Sequence, residues 1–132
     1  MQDRPSAEQL LAAIQHFISD SAAPQLTGHA AFHARVAGNV LDILLREAQL
    51  APGFNKAEAA RLEALLGESG SLHALNQKLC DKISAGEMDL STPGLKAHLI
   101  KTTMGKLAID QPSYQGYKTA QAASWLEDDS LE

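Results

Sequence analysis

Four polar residues of this chain, Arg35, Asn39, Asp42 and Arg46, fall on one narrow stripe when residues are set 100° apart around a helix. Asp42 stands two turns beyond Arg35 and one turn before Arg46. Two guanidiniums oriented by one carboxylate can hold a phosphate or carboxylate through paired N–H donors. The same residues can instead form a polar seam, in which Asp42 bridges both arginines and Asn39 ties down a neighbouring loop. The anion reading requires a concave site with inward guanidiniums. The seam requires a flat surface on which Asp42 neutralises both.

His29 and His33 sit four apart, a spacing that presents two ring nitrogens to one metal. A third ligand is missing, and Ala30 and Phe32 replace the acidic neighbour of the zinc-protease pattern. No metal is therefore assigned. His29 is expected at a helix start, and His33 hydrogen-bonded inside a bundle. Glu47 falls within an apolar arc, where desolvation would raise its pKa and suit it to general-base work. A buried pairing with Arg4 or Arg46 is the alternative. An enzyme using Glu47 and His33 as base and acid would need both in one water-accessible cleft. Asn76 is expected to satisfy a backbone group, and Cys80, with no base nearby, to be a buried inert thiol. No phosphate loop, nucleophile elbow or kinase signature occurs. No catalytic residue and no cofactor is assigned, and a non-enzyme is the favoured class.

These residues need helices to position them. Ser6 and Gln9 make a capping box ahead of Leu10, Leu11, Ile14, Phe17 and Ile18, which predicts a helix over Ala7–Ser19. The next helix begins near Gly28 or His29 and ends at Leu50, before Ala51-Pro52-Gly53. Phe32, Val36, Val40, Leu41, Ile43, Leu44 and Leu45 cover most of its circumference, which predicts a central helix surrounded by neighbours. A third helix is capped by Asn55 with Glu58 at the box position. A fourth runs from Ser71 to Gly86, and a fifth starts at Thr92-Pro93 and stops at Pro112. The segment from Ser113 reads as a tail, in which Thr119–Leu126 can form a short helix that docks Trp125.

Apolar residues make up 45% of the chain and aromatic ones 5%, a balance that favours helices over sheet. The net charge of -5 is concentrated after Lys118, in Glu127, Asp128, Asp129 and Glu132, which leaves residues 1–118 near neutral. Without a basic face, nucleic acid is not an expected partner. One cysteine fits a reducing compartment, and the N-terminus lacks a basic region followed by an apolar run. No apolar run is long enough to span a membrane, so the expected location is the cytoplasm.

Four segments carry a family resemblance: RPSAEQLLAAI at 4–14, FHARVAGNVLDILLRE at 32–47, LHALNQKLCDKISAGEMDL at 72–90 and LIKTTMGKLAIDQPSY at 99–114. The chain resembles a small bacterial helical domain of unknown function that accompanies aminoglycoside-phosphotransferase-like kinases and acyl-CoA dehydrogenases. The resemblance implies an accessory role beside such enzymes in acyl-CoA metabolism. It assigns no catalytic residue.

The combined expectation is an all-α, single-domain bundle of about five helices over residues 1–112, with a central second helix and a partly flexible tail over 113–132. The leading function is a non-catalytic interaction module that partners a kinase or dehydrogenase of those classes. A homodimer is a further expected partner. The alternative is a binding protein for a phosphate, acyl-CoA or other anion, with Arg35, Asn39, Asp42, Arg46, His33 and Glu47 as candidate ligand contacts.

Overall fold

The computed structural model describes residues 4–123, so the expectations for Trp125 and the acidic residues beyond it lie outside the described residues. Five α-helices follow in order: α1 (Ala7–His16), α2 (Gly28–Leu66), α3 (Leu72–Ser84), α4 (Leu95–Asp110) and α5 (Gln115–Ala122). There is no strand among the described residues. The chain divides into two compact units, residues 1–51 and 52–132, and α2 contributes residues to both.

In the first unit, the expected capping box opens α1. Ser6 Oγ accepts from the Gln9 N–H at 3.3 Å, and the Ser6 N–H donates to Gln9 Oε1 at 2.9 Å. The α-helix stops at His16, short of the expected Ser19. The chain continues as a π-helical turn (Phe17–Ala22) and a 3-10 turn (Ala23–Gln25). Ser19 in that turn comes close to α2 at Gly38, where an added Cβ would lie 3.2 Å from Ser19 Oγ. Glycine permits that close approach.

Only Ala34 and Gly38 are buried among the described residues of this unit. Helix α2 is the long, central helix expected, but its 30–50 stretch is not covered on all sides by this unit. Phe32 is 53% exposed, Val36 43%, Val40 49% and Leu44 42%, and His33 and Glu47 are exposed as well. The covered side is the one where Ser19 meets Gly38. An apolar arc fixes which residues avoid water but not which side of a helix its own chain supplies cover for.

The second unit holds two apolar clusters. Leu62, Leu75, Leu79 and Leu95 form one, joined by Leu65, Leu66, Leu72 and Met88. Met104, Ala108, Tyr117 and Ala120 form the other, joined by Phe54, Ile100 and Leu107. Tyr117 and Ala120 belong to α5, so the segment read as a tail from Ser113 contains a helix with buried residues.

Helix α3 starts and stops as the sequence predicts. Ser71 Oγ accepts from the Ala74 N–H at 3.2 Å. At the other end Gly86 has φ 73°, its N–H donates to the Ile83 carbonyl, and the Glu87 N–H donates to the Lys82 carbonyl. This 6→1 and 5→2 pair of bonds is a Schellman motif, which needs a left-handed residue at Gly86.

Two starts differ from expectation. Helix α4 begins at Leu95 rather than at Thr92-Pro93, because local bonds hold the preceding residues in a turn. Asp89 Oδ1 accepts from the Ser91 N–H at 2.8 Å, and the Asp89 N–H donates to Thr92 Oγ1 at 3.0 Å. Such side-chain-to-backbone bonds compete with helix formation. The other difference is at Pro52. The expected second and third helices are one helix, which runs through it. Proline has no N–H, so the carbonyl one turn earlier, at Ala48, loses its helical donor.

Candidate functional site

Each unit carries a groove that gathers charged side chains. The first-unit groove, about 400 Å³, is lined by Arg35, Asn39 and Asp42 of α2, with Ser19, Ala23 and Gly38 around them. Three of the four stripe residues thus share one concavity, and Arg46 is not among its lining residues. Arg35 is exposed and Asp42 half-buried, and the two form no ion pair within 4.0 Å.

His29 and His33 have ring centroids 6.3 Å apart, tilted by 31°, and Phe32 meets His33 edge-on at 5.5 Å. His33 is exposed rather than bonded inside a bundle. No group of three or more His, Cys, Asp or Glu residues that could hold a metal occurs among the described residues. His33 and Glu47 lie fourteen residues apart on one helix, about 21 Å along its axis. One chain therefore does not bring them together as acid and base.

The second-unit groove, about 310 Å³, lies between the later part of α2 and α4. Glu58, Arg61, Lys101 and Lys106 line it, with Phe54 and Gly105. A Cβ at Gly105 would come 3.3 Å from the Phe54 ring, so glycine lets the two helices close on each other. A neighbouring groove of about 540 Å³ shares Arg61 and Lys101.

Arg61 is the pivot of this region. Its Nη2 donates to Thr102 Oγ1 at 3.2 Å, and its Nε is buried with no partner among the described residues. Burial lowers the guanidinium pKa, and the Glu58 charge opposes that shift. Glu58 Oε1 in turn accepts from Asn76 Nδ2 at 2.8 Å, and the same amide donates to the Leu72 carbonyl at 3.1 Å. Asn76 therefore ties α3 to α2 as well as satisfying a backbone group.

His98 on α4 is 2% exposed, and its Nδ1 has no partner among the described residues. Burial pushes its pKa down, Arg61 adds to that, and Glu58 works against it. Burial thus favours the neutral imidazole over the charged one at this position. Three cations against one carboxylate line the groove, an arrangement that suits an anionic group.

Arg61 and His98 escaped the sequence reading. Arg61 lies among alanines and glutamates that read as an ordinary solvated face. The available signal was the company of His98: Ala97, Gly105 and Ala108 on the same helix mark a close approach of another element. Glu58 was read as a capping partner for Asn55, but no helix starts there, which leaves it to Asn76. Cys80 is exposed, contrary to the buried thiol expected from its neighbours.

The fold described above is that of a small all-α domain. The chain is a member of the DUF6285 family, a domain of unknown function, which matches residues 24–114. No curated protein and no solved structure matches it. The family match begins after the RPSAEQLLAAI segment, so that part of the resemblance stands outside it.

Proposed function

We propose that this chain is a non-catalytic accessory module that acts by contact with a larger enzyme. The observation that carries this reading is the apolar surface of the first unit. Leu10, Ile14 and Phe17 are 42%, 50% and 61% exposed at helical spacing, and a second exposed row runs along α2. Contiguous exposed apolar rows on a small domain mark contact sites. The partners fitting the resemblance are a phosphotransferase-like kinase or an acyl-CoA dehydrogenase, in a bacterial cytoplasm and beside acyl-CoA catabolism. Co-expression of the tagged chain with each enzyme tests this. Retention that is lost in Ile14→Glu and Phe17→Glu is the expected result. Recovery of neither enzyme overturns the reading.

A second reading, anion binding, is favoured by the grooves. The Arg61 groove supports it better than the Arg35 groove, because Arg35 is balanced by Asp42 in the first, while Arg61, Lys101 and Lys106 outnumber Glu58 in the second. Thermal shift against inorganic phosphate, nucleotides and acyl-CoAs tests it. A ligand at 100 times its Kd adds about 2.7 kcal/mol to stability. A shift lost in Arg61→Ala names the second-unit groove, and one lost in Arg35→Ala names the first. No shift from any compound rejects the reading.

A further inference from the structure

The exposed row of α2 is self-complementary, and from it we infer that the partner on this face is a second copy of the chain, paired antiparallel about a two-fold axis at Val40. This inference rests on the reading of the first unit as a contact module and names one occupant of its surface.

At about 100° per residue, His33 and Glu47 each lie within roughly 20° of Val40, and Val36 and Leu44 within roughly 40°. All five are exposed. Each pair is also equidistant from Val40 along the chain, seven residues for His33 and Glu47 and four for Val36 and Leu44. A two-fold axis at Val40 therefore sets Val36 of one copy at the level of Leu44 of the other. His33 comes to the level of Glu47 at both ends of the contact. A closed two-fold interface requires such self-complementarity, in which residue i meets j and j meets i.

Charge selects the direction. Parallel pairing would set His33 against His33 and Glu47 against Glu47, like against like. Antiparallel pairing sets an imidazole against a carboxylate twice. Complementary placement of this kind fixes register and rejects the alternative. It also accounts for an acid and an imidazole that share this face yet do not meet within one chain, while His29, one turn before His33 on the same face, falls at the level of Ala51.

Need supplies the third argument. The first unit spans residues 1–51, and only Ala34 and Gly38 are buried among its described residues. Units of this size are marginal alone and are often completed by oligomerisation. A second helix across Val36, Val40 and Leu44 supplies the missing apolar cover.

Light scattering on the purified full chain should give twice the 14.1 kDa protomer mass. A mass of one protomer at 100 µM overturns the inference. Val40→Glu places two carboxylates at the axis and should give monomers with unchanged helical circular dichroism, since the position is exposed in the single chain. Register is read by cross-linking in a Cys80→Ser background. Chains carrying His33→Cys mixed with chains carrying Glu47→Cys should give a mixed disulfide, and His33→Cys alone should give none. Self-linking of His33→Cys without the mixed product overturns the antiparallel register. If the chain is monomeric yet retains a kinase or dehydrogenase, the dimer fails while the contact-module reading stands. If it is dimeric and retains neither, the reverse holds.

Discussion

His98 is the residue whose chemistry the fold changes most. Its folded pKa lies below the ordinary value of 6.5, first through burial and then through Arg61. A group with a depressed folded pKa binds its proton more readily when unfolded. Its contribution to stability is present above pH 6.5 and is lost as pH falls toward the folded pKa. Urea denaturation should therefore show stability level near neutrality and declining as pH falls below 6.5, by at most about 1.4 kcal/mol per pH unit. His98→Phe should lessen that decline, because the remaining histidines, His16, His29, His33 and His73, are all exposed in the single chain. An unchanged decline in the variant would assign the effect elsewhere. The histidine itself was plain in the sequence. Its burial beside Arg61 was not, because that depends on two helices whose contact is set by Gly105 and Phe54.

At the scale of the elements, α3 was legible almost to the residue, because its Ser71 cap and Gly86 exit are local signals. Substituting Gly86 by Ala should cost about 1 kcal/mol, since an L side chain is strained at a left-handed position. The start of α4 was misplaced because Asp89, Ser91 and Thr92 bond among themselves and delay the helix. The short helix expected over Thr119–Leu126 starts earlier, as α5 from Gln115, because Tyr117 and Ala120 make too short a pattern to mark its start. Pro52-Gly53 was read as a break, since proline inside a helix is costly, and α2 runs through it all the same. That difference makes a direct test. Within a continuous helix, Pro52→Ala restores a donor for the Ala48 carbonyl and should stabilise the protein, by up to about 3 kcal/mol. Amide exchange at residues 48–56 should slow in the variant. If stability and exchange stay as they were, the helix does not persist through this point in solution.

For the molecule as a whole, the sequence established the all-α class and its helical pattern, but it could not say what covers the apolar arc of α2. Hydrophobic periodicity records that a face avoids water. It is blind to whether the cover comes from the same chain or another one. Phe32, Val36, Val40 and Leu44 have the composition of core residues and the exposure of surface residues, and a second copy reconciles the two. Association then enters the stability of the first unit, because a partner that binds only the folded form stabilises it by mass action. The melting temperature should therefore rise with protein concentration, as it does for dimers whose folding and association are linked. Under the same scans Val40→Glu should melt lower and at a temperature independent of concentration. A wild-type melting temperature that holds constant over a hundredfold dilution would mean that α2 keeps its apolar face in water without help, and that the first unit is stabilised by something other than its own copy.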